Sequence, residues 1–228
     1  MIISKTPYRI SFFGGGTDFP EYYNKFGGSV IGSTIDKYCY INLRNLPPYF
    51  NNKYRIVWNR IELTNEINRI IHPCVKAVIN KYKIKSGLEI IHAGDLPARS
   101  GVGSSSSFTV GLLKCILEIN NKNLSVKKLA LEAIEIEQNL MNESVGSQDQ
   151  IWAANGGFNQ INFNSNGYKI QRIKISDANK IFLSNNLILF FTGKFRTSSL
   201  VEKDKIKKLN MNIDNYHKIK KFVKISRN

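Results

Sequence analysis

Acidic residues are scarce in this chain: 17 Asp and Glu stand against 33 Lys and Arg, a formal net charge of +16. Cysteine is scarcer still. Cys39, Cys74 and Cys115 are odd in number and far apart, and no C-x-x-C pair occurs. His72, His92 and His217 are scattered. That pattern argues against a disulfide framework and against a zinc site. Long apolar runs are missing as well. The start, Met1 to Pro7, lacks the apolar core of a secretory leader. The run Leu187–Phe191 is far too short to span a bilayer. The cytoplasm is therefore the expected compartment, with no membrane partner. There is no internal repeat and no G-K-[ST] that would mark a Walker phosphate loop.

The length of 228 residues, with 42% hydrophobic and 22% charged residues, is that of an ordinary globular chain with a real core. Eleven basic residues and three acids lie between Lys194 and Asn228, so this tail holds half of the net charge. A basic tail can be a nucleic-acid arm, but solvated helix faces give the same count. Its few aromatics offer little to stack on bases, so nucleic acid is not the expected partner. An anionic small molecule suits a basic protein equally well.

Read along the chain, Ile2–Phe13 is β-rich and runs into Gly14-Gly15-Gly16-Thr17-Asp18. Three glycines in a row mark a loop where backbone approaches something closely. Ser29–Leu43, Tyr54–Trp58 and Leu88–Ala93 read as strands. Glu66–Tyr82 has helical periodicity and is bent or started at Pro73. An apolar helix is expected from Phe108 to about Ile119. A second helix runs from about Val126 to Met141, capped by Ser125. Asn155–Phe163, Ile170–Ile175 and Leu187–Thr192 read as further strands, and a Lys-rich helical segment begins near Ser199. A boundary near residues 184–186 divides the chain into 1–184 and 185–228.

The segment with the strongest chemical signal is Leu96-Pro97-Ala98-Arg99-Ser100-Gly101-Val102-Gly103-Ser104-Ser105-Ser106-Ser107. Its glycines let backbone N–H groups turn inward, and its serines add hydroxyls where a helix begins. That is a ready polyphosphate site. The alternative is a Ser/Gly linker, but linkers seldom sit tightly between a strand and an apolar helix. On the helix from Val126, Leu129, Ala133, Ile136 and Leu140 form one apolar stripe. At 100° per residue, Glu137 falls about 80° off Leu129, beside small Ala130, while Glu135 faces solvent. Glu137 is thus either a carboxylate poised at the edge of a buried face or a helix-surface ion pair. Trp58 and Tyr54 are either core or the lining of a base pocket.

The P-x-x-x-G-x-G-S-S-[AS] pattern at Pro97, Gly101, Gly103, Ser104, Ser105 and Ser106 resembles the second motif of the GHMP kinases. Thr6-Pro7-Tyr8-Arg9-Ile10-Ser11-Phe12-Phe13-Gly14-Gly15-Gly16-Thr17-Asp18 is similar to that family's first motif in its sugar kinases. Its R-I-S-F-F-G-G-G-T-D form is nearest to the branch acting on D-glycero-D-manno-heptose 7-phosphate. Ala133–Glu137, Gly146-Ser147-Gln148-Asp149-Gln150 and Gly156-Gly157-Phe158 resemble the segment that ends in the catalytic Asp. The resemblance extends over about Ile3 to Arg196.

It implies an α+β fold with a twisted mixed sheet and helices on one side, like ribosomal protein S5 domain 2. Only the start of a ferredoxin-like C-terminal domain would follow, since no third glycine-rich motif occurs beyond Gly157. The cofactors implied are ATP and Mg²⁺. The implied reaction is phosphoryl transfer to a sugar hydroxyl, and the nearest branch points to the anomeric position of the heptose 7-phosphate. By resemblance, Asp149 polarises the attacking hydroxyl and Arg9 steadies Asp149 or the transferring group. Asp18, with Thr17 and Gly16, binds the sugar. The loop Pro97 and Arg99–Ser107 binds ATP. Glu137 with Ser105 (or Ser104) holds the metal. Bland alternatives exist: Arg9 as a strand-end surface residue, Asp18 as a turn cap. For the chain as a whole, an inactive remnant that binds nucleotide or a partner, self-association through an incomplete second domain, and an RNA-binding protein are the competing readings.

Overall fold

The computed structural model describes residues 1–190, 193 and 204–226. Seven strands form one sheet: β1 Ile2–Phe13, β2 Gly28–Leu46, β3 Tyr54–Val57, β4 Ile61–Thr64, β5 Gly87–Gly94, β6 Phe158–Asn164 and β7 Gly167–Arg172. The order is β4-β3-β5-β2-β6-β7, with β1 also paired to β2. The long strand β2 is the spine. Its first part pairs with β6, its last part with β5, and β1 runs antiparallel along it. Among the described residues only β3 and β5 pair in parallel, so the sheet is mixed as expected. The intervening helix α2, Pro73–Tyr82, provides the crossover that parallel pairing demands.

Four helices cover one face: α2, α3 (Ser104–Ile119), α4 (Val126–Glu135) and α5 (Gln148–Asn155). Alternate residues of β2, Cys39, Ile41 and Leu43, share a core with Ile56, Leu88 and Ile90 and with Val75, Val78, Leu112 and Ile116 from the helices. The opposite face is polar, where Glu89 pairs with Arg44 and Arg55. α3 is buried along most of its length and passes close to the sheet. A Cβ at Gly111 would come within 2.8 Å of Thr6, so only glycine lets the helix lie this near. Burying a large apolar side chain such as Trp152 or Leu112 contributes about 1.5–3 kcal/mol each.

Several expectations shift in detail. The helix expected over Glu66–Tyr82 is a single 3₁₀ turn, Ile67–Arg69, followed by α2, which starts at Pro73 with His72 accepting from Val75 N. Proline is suited to the first helical position and cannot continue the preceding turn. Ser125 does cap α4. The regular α-helix stops at Glu135, however, and Ile136–Leu140 is a π-helical turn. The extra residue per turn rotates Leu140 out of the apolar stripe, and it is exposed. The strand expected from Asn155 begins at Phe158, because 148–155 is helix α5. Two further helices were not foreseen, α1 Pro20–Phe26 and α6 Asp177–Asn185. Residues 187–190 form no strand, and the rest of the strand expected to Thr192, like the helix start near Ser199, lies outside the described residues. The last helix, α7, spans Ile213–Ile225 and packs against β1 and β2. Among the described residues no helix is long and apolar enough to cross a membrane.

Candidate active site

Three loops meet at one end of the sheet around a cavity of about 800 Å³. They are the triple-glycine loop after β1, the serine loop before α3, and the turn leading into α5. The size suits a small-molecule site.

The serine loop owes its shape to backbone conformations rare for side-chain-bearing residues. Arg99, Gly101 and Gly103 have φ of 65°, 82° and 74°. Gly103 is the N-cap of α3, and no side chain caps that end. The N–H groups of the first turn of this 16-residue helix therefore face the cavity with the positive end of the helix dipole. Ser104, Ser105 and Ser106 line the cavity there. Ser107 and Pro97 do not. The Ser107 hydroxyl donates to Pro7 O at 2.8 Å and ties α3 to β1, while Pro97 O accepts from Ser100 at 2.8 Å and shapes the loop. Val102 is core, and its carbonyl accepts from Arg9 N at 3.0 Å.

Arg9 follows a register shift between Pro7 and Arg9 in β1, an irregularity of the kind that re-aims a side chain beside a site. Its guanidinium makes a two-pronged pair with Asp149, Nε to Oδ1 at 2.7 Å and Nη2 to Oδ2, while Nη1 donates to Gly101 O at 2.7 Å. One planar cation thus fixes both the carboxylate and the serine loop. Asp149 lies in the first turn of α5. A Cβ at Gly103 would stand 3.3 Å from both Asp149 Oδ2 and Arg9 Cγ, so the pair fills the space beside that glycine.

Asp18 is 2% exposed. Its Oδ1 accepts from Gly16 N at 2.9 Å and its Oδ2 from Gln148 N at 3.3 Å. Burial, then the charge of Asp149, push its pKa up to about 6. Gly146 is required beside it, since a Cβ there would sit 1.9 Å from Oδ2. Thr17 is placed differently from expectation. It does not line the cavity, and its hydroxyl bonds Gly14 O, Ser29 O and Ser29 N, which fastens the loop to β2.

Glu137 is 1% exposed and lines the cavity. Oε2 accepts from Ser106 Oγ at 2.9 Å and from the Gln150 amide. Oε1 has no partner among the described residues. Burial raises its pKa to about 7, more than its hydrogen bonds lower it. The helix-surface ion pair is thereby replaced by a buried carboxylate. The expected partner is Ser105, or else Ser104, but the hydroxyl that reaches Glu137 is that of Ser106. Ser105 is exposed, because one step along a helix turns a side chain by about 100°. An unpartnered buried carboxylate oxygen beside a hydroxyl, opening on a phosphate-shaped loop, fits a magnesium ion.

Sequence reasoning missed Gln150, which is fully buried against Glu137, and Ser11, whose hydroxyl donates to Gln148 Oε1 at 2.9 Å. The neighbours of Asp149 in the sequence, Gln148 and Gln150, were the available signal. Trp58 and Tyr54 do not line this cavity. Tyr54 is core, and Trp58 donates to Glu62 at 2.7 Å while packing on the core's edge.

Residues 68–157 match the family described as "GHMP kinases N terminal domain". The chain is 30% identical over 218 residues to D-glycero-alpha-D-manno-heptose 7-phosphate kinase of Campylobacter jejuni, covering 91% of this chain and 64% of that protein. It is 31% identical over 160 residues to galactokinase of Pyrococcus furiosus, covering 65% of this chain and 42% of that one. Thus it spans less than two thirds of the length of either relative. Among solved structures, that of a D-glycero-D-manno-heptose 1-phosphate kinase from "Bacteriodes thetaiotaomicron" superposes with a TM-score of 0.75 at 26% identity, over 96% of this chain and 76% of that one. A mevalonate kinase at 22% identity shares the fold, with a TM-score of 0.61 over 96% of this chain and 74% of that one.

Proposed function

Since the chain carries the N-terminal domain of the GHMP kinases, we propose that it is the ATP-binding part of a sugar kinase whose acceptor is the anomeric hydroxyl of D-glycero-D-manno-heptose 7-phosphate. The observation that carries this reading is the Arg9–Asp149 pair, fixed at the mouth of the serine loop with Asp18 beside it. A carboxylate, a guanidinium and a helix N-terminus converge on one cavity, which is the equipment of phosphoryl transfer.

In this reading the N–H groups of the first turn of α3 and the hydroxyls of Ser104 and Ser105 hold the ATP phosphates. Glu137, with Ser106 at its side, would hold magnesium, which supplies charge neutralisation on the phosphates. Asp18 binds sugar hydroxyls. The acceptor oxygen attacks the terminal phosphorus, the bond from that phosphorus to the bridging oxygen breaks, and the hydroxyl proton passes to Asp149. Arg9 holds Asp149 in line and, through Gly101, keeps it in register with the phosphates. Residues 185–228 are then the start of a second domain.

The test is phosphoryl transfer from labelled ATP by the purified chain, with magnesium, to the heptose 7-phosphate, galactose and mevalonate. A parallel calorimetric titration uses a non-hydrolysable ATP analogue. Transfer to the heptose phosphate and saturable nucleotide binding are expected. A folded chain that takes up no analogue at millimolar concentration would overturn the reading.

A further inference from the structure

The basic tail has a second use that its charge conceals. Along α7, Tyr216, Lys220 and Val223 fall at i, i+4 and i+7 and so share one face. Tyr216 and Val223 are buried, although lysines 218, 221 and 224 surround them. That face lies on the triple-glycine loop. A Cβ built at Gly16 would be 2.7 Å from the Tyr216 ring, and one at Gly14 would be 2.8 Å from a Val223 methyl. Both glycines have positive φ, 94° at Gly16 and 88° at Gly14. The loop is therefore sandwiched between β2 and α7, with no room for a side chain on either glycine.

Two further contacts fix the helix. The Tyr22 hydroxyl and His217 Nδ1 are 2.8 Å apart, and Lys220 Nζ donates to Phe26 O. Tyr22, Leu209 and Tyr216 form a small apolar cluster of their own. Gly16, pressed by Tyr216, is the residue whose N–H holds Asp18 Oδ1. The packing path runs from α7 through Gly16 to the Asp18 carboxylate.

We propose that α7 is a positioning element of the acceptor site and that Tyr216 is its positioning residue, setting the Gly14–Asp18 loop in the conformation that presents Asp18 to the sugar. The proposal rests on the reading of Asp18 as an acceptor-binding residue. The ring does the positioning, since ring carbons are the atoms that close off the space beside Gly16. The phenol is not needed. Loss of the ring frees Gly16 to leave its positive φ and lets Asp18 drift, which weakens acceptor binding and leaves the phosphate loop as it was.

Amide hydrogen exchange and steady-state kinetics on the same variants test this. Thr17 N and Phe19 N are hydrogen-bonded within the loop to Gly14 O and Gly16 O. In Tyr216→Ala their exchange should quicken about tenfold or more while α3 and β5 keep their protection. KM for the acceptor should rise about tenfold with KM for ATP within about twofold. Tyr216→Phe should behave as the parent chain. Val223→Ala, a milder change, should move the same quantities in the same direction by less. Unchanged loop exchange in Tyr216→Ala would overturn the proposal. So would faster exchange throughout the sheet with both KM values rising together, or failure of Phe to restore the loop. A parent chain that phosphorylates no sugar would refute the acceptor role along with the proposed function, and the exchange experiment would still decide, on its own, whether α7 holds the loop.

Discussion

Replacing Glu137 by Gln should make the metal-free protein more stable at neutral pH. The carboxylate is fully buried with one oxygen unpartnered, and its pKa is raised from 4.5 to about 7. The native state therefore holds a proton that the unfolded chain releases. The stability this gives is complete below pH 4.5 and is lost as pH rises to 7 and beyond. A difference of about 2.5 pK units at about 1.4 kcal/mol each amounts to about 3–4 kcal/mol over the whole titration, of which about 3 kcal/mol is lost between pH 4.5 and pH 8. Asp18, raised from 3.8 to about 6, gives the same sign over a lower window. His72, which burial lowers from 6.5 to about 4, gives the opposite sign. Comparing variant with parent cancels both and isolates Glu137. Gln150 has an unpartnered buried Oε1 that can accept from the new amide after a flip of its own, so the variant keeps its packing. Urea unfolding followed by the fluorescence of Trp58 and Trp152, at pH 4.5 and pH 8 without divalent metal, is the assay. The parent should lose about 3 kcal/mol more than the variant between the two pH values. Identical pH dependence of the two proteins would refute the reasoning. Added magnesium and ATP analogue at one hundred times Kd should restore about 2.7 kcal/mol to the parent and markedly less to the variant.

Asp149→Asn should lower transfer by about 10²–10⁴-fold with nucleotide affinity nearly unchanged, measured by single-turnover kinetics and calorimetry; full turnover would exclude the proton-acceptor role. Gly146→Ala forces a Cβ to 1.9 Å from Asp18 Oδ2. It should cost about 1–3 kcal/mol of stability and raise acceptor KM while sparing ATP binding. Ser106→Ala removes the donor to Glu137 and should weaken the magnesium dependence of analogue binding. Ser105→Ala, at an exposed position, should leave stability within about 0.5 kcal/mol. The reverse ranking in a magnesium titration would return the ligand role to Ser105.

Much of the site was legible because its local chemistry is written in consecutive residues. Gly101 and Gly103 before four serines, set between a strand and an apolar stretch, favour a turn into a helix start over a linker, and three glycines after a β-rich stretch point to a close-packed loop. The apolar period of α2 likewise follows from burial on one face, and the unbroken apolar run of α3 from burial nearly all round. Tertiary structure decided what depends on contacts between distant segments. Helix α5 was not foreseen because Gln148-Asp149-Gln150 carries no apolar stripe, and its first turn is held by Arg9 and Asp18 from far along the chain. The π-helical turn at Ile136–Leu140 puts Glu137 against Ser106 and Gln150 and expels Leu140, a choice made by packing and invisible to a 100° wheel. Thr17 looked like a ligand-binding residue and is a fastener, because its hydroxyl finds two backbone partners on Ser29 of β2 and a third at Gly14 O of its own loop. In the basic tail, charge counting sees lysines; only the folded chain reveals that Tyr216 and Val223 lie against two glycines some two hundred residues earlier.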